Sequence, residues 1–576
     1  MNSPGFKYHP LRASEQRVKS HGVPGCSKNL REQKQQTWPG WKQIVSVSFA
    51  PSLAGIMIGG GWCSASLGWI GVSGFALFFW LQVQQQTLRG AIWQSYLTGF
   101  FAFAIACSWL PSTARYLSEI GVVASCVCAL AYYSFQSLSL VLFAVLWRAM
   151  RSSSQRAWLI VPFLWVTIEH LLPTLFPWPP AVLLTGDLPI LQIAELGGVD
   201  LVSVLVLSIS VFLAWSLELA RQSCSGAETP RGTFCVWSMI LLSLVGVRLA
   251  GSARLQQIEA EMKAWADTQL RVGLIQAAPG FTDSNRRMVE ATRAMNGLID
   301  LAVWPESALG NYSRELRDFN DPNSVENFSI GAGSGLVPFP QLHCPLLAGA
   351  DRWDDIKADG QPDRHYVSAL LIDQKQHLVG ARDKIRLMPY GEYIPGESFL
   401  PFLRTWWGDK RMISAGDSPT TIGRIGGYQV GALLCCEDMH PDFVRKVVNQ
   451  GADLLVTLGN GSAFDSEIAL SQHFRISLLR AIEHRLYFLR CTSAGVSGLV
   501  GPSGRVLHQL PAGQEVAAVL SIPRLPPSMG VTFFTRKGGL LSTACGVFAI
   551  LIWLRWRTRD RSETGFRRPA RRFAVN

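Results

Sequence analysis

Apolar positions are unevenly spread along the chain. From 44 to 250 they come in long runs broken by short polar stretches, and a further run occupies 538–554. Between 251 and 537 short apolar runs alternate with polar ones, as in an ordinary globular domain. A membrane-crossing helix needs about 20 apolar residues, with a lower limit near 17. Candidate spans on that criterion are 44–61, 63–82, 93–110, 120–147, 157–172, 201–217 and 234–249, with an eighth at 538–554. The first, fifth and seventh are short or interrupted, and Pro51 is expected to break the first.

In 251–537 the buried-strand pattern appears at 271–276, 298–304, 366–372, 430–435, 454–458 and 496–500. Helical patterns fall at 282–298, 440–450 and 466–485. Strands alternating with helices predict an α/β domain. The expected architecture is therefore a polytopic α-helical membrane bundle (44–250), an α/β soluble domain (251–537) and a C-terminal spanning helix (538–554). A basic tail flanks it on each side, at 1–43 and 555–576.

Charge fixes an expected orientation. The chain of 576 residues has a net charge of +12, and much of the excess sits in the tails. Residues 1–43 hold eight Lys and Arg against Glu15 and Glu32, and 555–576 hold eight Arg against Asp560 and Glu563. With the N-terminus inside, the inner loops carry Arg89, then Arg148, Arg151 and Arg156, then Arg221 and Arg231. The outer loops carry Arg115, and 173–200 has no Lys or Arg. This is the positive-inside pattern. Seven crossings place 251–537 outside, and the eighth returns the Arg-rich tail to the cytoplasm. Basic flanks beside apolar helices account for the charge without a nucleic-acid partner. The polar first 43 residues predict an uncleaved anchor in place of a cleaved signal peptide.

Twelve cysteines lie scattered without paired metal-ligand spacing, so neither a zinc site nor a dense disulfide framework is expected, and no metal or cofactor is called for elsewhere in the chain. Glu169-His170 falls in or beside the fifth span, where an ionisable group is a functional candidate or the marker of an interfacial helix end. In the soluble half three polar residues stand where apolar strands end: Glu306, Lys384 and Cys435. Sites in α/β sheets gather at strand ends. A thiol attacks as its thiolate, so it needs a base for its proton and a cation for the negative charge that develops. Glu306 and Lys384 are candidates for those two roles.

The flanks resemble the nitrilase (carbon–nitrogen hydrolase) superfamily, and more narrowly the bacterial apolipoprotein N-acyltransferases. Trp304-Pro305-Glu306 is similar to the base motif, Lys384 through Glu392 with Tyr393-Ile394-Pro395 to the lysine motif, and Cys435-Cys436-Glu437 to the nucleophile motif. Gln472-His473-Phe474-Arg475, Arg480-Ala481-Ile482-Glu483 and Gly501-Pro502-Ser503-Gly504 also fit. In the apolar half, so do Leu164-Trp165 through Glu169, Phe176-Pro177-Trp178 and Leu196-Gly197-Gly198-Val199 with Val202-Ser203. The resemblance spans roughly 44–554 and implies an αββα sandwich for the soluble domain.

It also implies a two-step reaction in a bacterial inner membrane, with the catalytic domain periplasmic and both termini cytoplasmic. Glu306 would deprotonate Cys435, which takes an acyl chain from a phospholipid as a thioester while Lys384 stabilises the oxyanion. The α-amine of a diacylglyceryl-cysteine lipoprotein would then accept the chain. Glu392 would orient Lys384, while Glu437 is either a catalytic part or a structural hydrogen-bond partner. The enzyme is expected to act as a monomer.

Two departures stand out. The family has an aromatic residue where Cys436 stands, which leaves Cys436 as the alternative nucleophile. Its Asn-Asp-Ala-Trp-Phe stretch appears here as Asn460-Gly461-Ser462-Ala463-Phe464, without the Trp. Aromatics at 390–407, including Trp406 and Trp407, are either a loop dipping into the membrane interface or domain core. Competing readings are a membrane-tethered amidase acting on a small amide, and a non-catalytic membrane scaffold with a degenerate nitrilase domain.

Overall fold

A computed structural model describes residues 41–565 except 119, 151–154, 173, 175, 225–232, 266–268, 278–283, 314–328, 333–334, 339–341, 354–363, 376 and 403–412. The described residues from 49 onward form one compact unit. Helices coincide with all eight apolar runs: Trp41–Cys63, Gly68–Gln84, Leu88–Ala106, Val122–Met150, Val161–Leu171, Ala194–Cys224, Thr233–Ala264 and Leu540–Gly565. Three helical stretches among the described residues are long and apolar enough to cross a membrane: Ala65–Gln84, Val122–Met150 and Ala194–Cys224. A fourth arises if Leu88–Ala106 and Leu110–Ser118, bent by 66°, count as one span.

One expectation needs correction. The first helix runs through Pro51 without a break. Proline removes one donor, and the neighbouring Thr98 Oγ1 donates to the carbonyl of Pro51 at 3.1 Å, tying this part of the helix to helix Leu88–Ala106. The division at 250 falls inside one continuous helix, Thr233–Ala264, which carries the chain from the apolar half into the soluble one.

The soluble half is two sheets. The first holds β1 (Gln269–Gln276), β2 (Leu301–Val303), β3 (Asn311–Ser313), β4 (Ser329–Ala332), β5 (Gly335–Pro338), β6 (Leu346–Trp353), β7 (His365–Ile372) and β8 (Leu378–Asp383). The second holds β9 (Gly423–Ile425), β10 (Tyr428–Leu434), β11 (Leu454–Asn460), β12 (Tyr487–Ser493), β13 (Gly498–Val500) and β14 (Val506–Gln509). The last strand, β15 (Val516–Pro523), pairs antiparallel with β1 and so completes the first sheet. Parallel pairing of β10 with β11 and of β11 with β12 builds the centre of the second sheet.

Alternate residues explain the layering. Val430, Ala432 and Leu434 of β10 meet Val272, Leu274 and Val303 in the core between the sheets. Leu433 points the other way, into a core shared with helix Pro441–Asn449 and helix Glu467–His484. Met288 of helix Ser284–Ala294 packs with Ile275 and Trp304 on the outer face of the first sheet. The order helix, sheet, sheet, helix is the αββα sandwich.

Helix Glu467–His484 joins this sandwich to the apolar helices. Its Arg475, 6 % exposed, donates to Thr185 Oγ1 (2.9 Å) and to the carbonyls of Trp62 (2.9 Å) and Val182 (2.8 Å). Glu483 Oε1 accepts from the backbone of Val199 at 2.9 Å. That amide lies just past the break in helix Ala194–Cys224, where Gly198 has φ 64°. A Cβ at Gly198 would lie 2.3 Å from the Phe534 ring, so glycine is required for both conformation and space.

Replacing Arg475 with Met would keep its bulk but leave three buried acceptors without their donor, at a cost of about 3 kcal/mol or more. The unfolding midpoint of the detergent-solubilised protein is expected to fall by several degrees. An unchanged midpoint would show that this junction does not hold the two halves together.

Candidate active site

Glu306, Lys384 and Cys435 each follow or close a strand, and the sandwich brings those ends together. Glu306 lies beyond β2, Lys384 directly after β8, and Cys435 directly after β10. Lys384 is fully buried, and its Nζ donates to Glu306 Oε1 at 3.0 Å and to Glu392 Oε1 at 2.5 Å. Glu392 Oε2 accepts from the Met388 backbone at 2.7 Å, which ties the loop after Lys384 to the same carboxylate. The charges of Glu306, Lys384 and Glu392 all act on Cys435, whose sulfur also accepts from the Asn460 backbone.

The backbone is held in unusual conformations at this centre. Cys435 has φ 47°, Ser307 beside Glu306 has φ 55°, and Tyr390 near Glu392 has φ 62°. Non-glycine residues in that region carry strain that the surroundings must maintain, and such residues cluster at functional sites. On β6, Gly349 lets Glu306 approach: a Cβ there would meet the Glu306 Cα at 2.5 Å.

Glu437 is fully buried and performs a clamping role. It pairs with Arg382 and accepts backbone N–H groups from Leu434 (2.8 Å), Ile385 (2.8 Å) and Arg386 (3.2 Å). One carboxylate thus locks the turn bearing Cys435 to the loop bearing Lys384. Beside it, buried Asp438 pairs with Arg490 and bonds His473 Nε2 at 2.9 Å. Sequence reasoning missed Asp438 and Arg490 as parts of this scaffold. Their signal was slight: an acid directly after Glu437 and an Arg inside an apolar strand.

Cys436 Sγ donates to the Arg386 carbonyl at 3.3 Å, and burial raises its pKa well above the usual range. Ala463 precedes Phe464, whose ring meets Trp109 and Phe176 of the apolar half at 5.3 and 5.9 Å. Trp406 and Trp407 lie outside the described residues. Glu169 accepts from Trp165 Nε1 at 3.0 Å, and His170 bonds Asp200 at 2.9 Å; both residues lie apart from the three strand ends.

Electrostatics divide the roles. Burial pushes the Cys435 thiol up to about 12, and the Glu306 charge adds to this while Lys384 opposes it. Burial lifts Glu306 to about 7 against the pull of Lys384. Burial also works against the Lys384 ammonium, but the carboxylates of Glu306 and Glu392 outweigh it and keep the group charged. At neutral pH the sulfur holds its proton, a carboxylate near its own pKa stands by, and a fixed cation adjoins both.

Comparison with known proteins locates the fold. Residues 54–212 match the apolipoprotein N-acyltransferase N-terminal domain, and residues 250–525 match the carbon–nitrogen hydrolase domain. The chain is similar to the apolipoprotein N-acyltransferases over both of its halves. Similar relatives include an apolipoprotein N-acyltransferase of Geobacter metallireducens, 27% identical over 81% of this chain and 86% of that one. That of Bdellovibrio bacteriovorus is 26% identical over 80% and 85%, and that of Pseudomonas putida 24% over 81% and 89%. Among solved structures, an amidase from Nesterenkonia sp. is 17% identical, covering 44% of this chain and 91% of that one with a TM-score of 0.31.

A base works only when ionised. Alkylation of Cys435 by iodoacetamide is therefore expected to quicken as pH rises through about 7, where Glu306 loses its proton. In Glu306→Gln that step should vanish and leave only the slow rise toward the thiol's own pKa. An identical pH profile in the two proteins would remove Glu306 from the base role.

Proposed function

We propose that the chain transfers a fatty acyl group from a phospholipid to the α-amine of a diacylglyceryl-cysteine at the N-terminus of an apolipoprotein. The reading is carried by the Lys384 ammonium, held 3.0 Å from Glu306 beside the Cys435 sulfur on which both charges act. The family of its relatives supports the substrates.

In the first step Glu306 takes the Cys435 proton as Sγ attacks the ester carbonyl. The oxyanion forms against Lys384 Nζ and the Asn460 amide, which already points at the sulfur. Its collapse breaks the C–O bond, and Glu306 returns the proton to the departing lysophospholipid hydroxyl. A neutral lipoprotein amine then attacks the thioester carbonyl. The C–S bond breaks, Glu306 takes the amine proton, and the thiolate recovers it. Glu392 and Glu437 position Lys384 and the Cys435 turn without touching substrate.

The acyl donor is a lipid, which suits a catalytic domain packed on apolar helices. We assign eight crossings, with 251–537 periplasmic and both termini cytoplasmic, from the charge pattern of the loops. An alkaline phosphatase fused after residue 513 should be active in cells, and an inactive, stable fusion would reverse this orientation.

The direct test incubates purified protein with phospholipid and maps modified peptides by mass spectrometry. A fatty acyl thioester on Cys435 is expected, absent in Cys435→Ala. Acylation of Cys436 alone would move the nucleophile by one residue, and release of free fatty acid without acyl-lipoprotein would favour hydrolysis. Polar replacement of Trp406 and Trp407 should slow acylation by phospholipid more than alkylation by iodoacetamide. Equal losses would mark a folding defect instead of lost lipid contact.

A further inference from the structure

β6 carries an acid where the core between the sheets would otherwise continue. Along its inward face stand Leu347, packed between the sheets, Gly349, which makes room for Glu306, and then Asp351. Antiparallel pairing sets Asp351 opposite Val367 of β7 and Trp353 opposite His365. Asp351 and His365 are therefore diagonal neighbours on one face. Neither belongs to the three strand ends, yet both lead to them.

The first route runs through Ser307. Its Oγ donates to Asp351 Oδ1 at 3.2 Å, and Ser307 is the residue after Glu306, held at φ 55°. A serine in that conformation needs support from its surroundings. The backbone of β6 fastens the same turn twice more. Gly349 N–H donates to the Pro305 carbonyl at 3.0 Å, and Asp351 N–H to the Gly310 carbonyl at 2.9 Å. The turn that aims Glu306 is thus held on both sides, with Asp351 supplying a side-chain tie.

The second route runs through His365, whose Nε2 lies 3.2 Å from the same Oδ1. A carboxylate oxygen only accepts, so the hydrogen of this bond sits on Nε2. The His365 carbonyl accepts from Ser414 N–H at 2.6 Å, and Ile413 N–H donates to the Glu392 carbonyl at 2.9 Å. The segment that ties down Glu392 is therefore moored on the residue that orients Asp351.

Charge adds to the geometry. Among the described residues, the charged or titratable groups that face Glu306 are Lys384, Glu392, Asp351 and Cys435. Burial lifts Glu306 first; Lys384 pulls it down, and Glu392 and then Asp351 push it up. Glu392 is committed to the Lys384 ammonium, whereas Asp351 bonds Ser307 and His365. Arg352, the next residue on β6, faces the other way and meets Asp383 at 2.8 Å. We propose that Asp351 is a positioning residue for the general base: through Ser307 it fixes the turn that aims Glu306 at the Cys435 thiol, and its negative charge favours the proton's arrival on Glu306. His365 holds Asp351 from the other side. This rests on the reading of Glu306 as the base, and its test needs neither lipid nor turnover.

The experiment alkylates the full chain in detergent with iodoacetamide across a range of pH and quantifies the Cys435 peptide by mass spectrometry. Asp351→Asn keeps an accepting oxygen for Ser307 and His365 but removes the charge. Its step is expected roughly half a pH unit or more below that of the wild type, with a lower plateau above it, because a weaker base remains. Ser307→Ala keeps the charge and cuts the tie. Its midpoint should hold while the plateau falls about tenfold, the mark of a base no longer aimed. A merely structural role for Asp351 would lower the plateau without moving the midpoint. An Asp351→Asn midpoint equal to that of the wild type, with Glu306→Gln still abolishing the step, overturns the proposal and leaves Glu306 as the base. A Ser307→Ala profile identical to the wild type overturns it as well. If the wild-type protein shows no step at all, the base reading fails and the proposal fails with it. Should Asp351→Asn not fold, Asp351→Ser removes the same charge and is read for the same shift.

Discussion

The structure turns on a buried ammonium. Lys384 has no exposed surface, and an isolated charge in such a place would be expelled or neutralised. Two carboxylates at 3.0 and 2.5 Å hold it there. Everything nearby is arranged so that these three groups keep their places while a thiol sits beside them. The Glu437 clamp, the Asp438 pairs and the positive φ of Cys435 all serve that end. None of them needs to touch a reacting atom.

The same centre depends on helix Glu467–His484, which faces two ways. His473 meets Asp438 under the Cys435 turn, while Arg475 and Glu483 reach into the apolar helices. The Cys435 turn and the apolar helices are therefore braced by one helix. Buried polar groups of this kind contribute more to a unique geometry than to raw stability. Their partners are mostly backbone carbonyls and amides, so small shifts of a helix would be felt at the sulfur.

Much of this was legible beforehand, and the limits have physical causes. Strands rich in Val, Leu and Ala, such as 430–434, announce themselves because both their faces are buried. The strand ends then pointed to Glu306, Lys384 and Cys435. Less visible were β12, whose Arg490 interrupts an apolar run, and β15, whose alternating exposure reads weakly without its partner β1. The helix through Pro51 was misjudged because proline's local penalty outweighs context in a sequence reading. The role of Asp438 depends on Arg490 and His473, tens of residues away, and no local pattern encodes it.

Helix Thr233–Ala264 carries a last consequence. Its 32 residues form one rod, about 48 Å long at 1.5 Å per residue. Near the middle, Gly251 lies so close to Pro189 that a Cβ would sit 1.9 Å from the Pro189 carbonyl oxygen, and Arg254 grips Glu195 at 3.0 Å. A stiff strut pinned at mid-length acts as a ruler. It sets the height of the Cys435 turn relative to the apolar helices as the chain folds, a spacing written into the length of one helix.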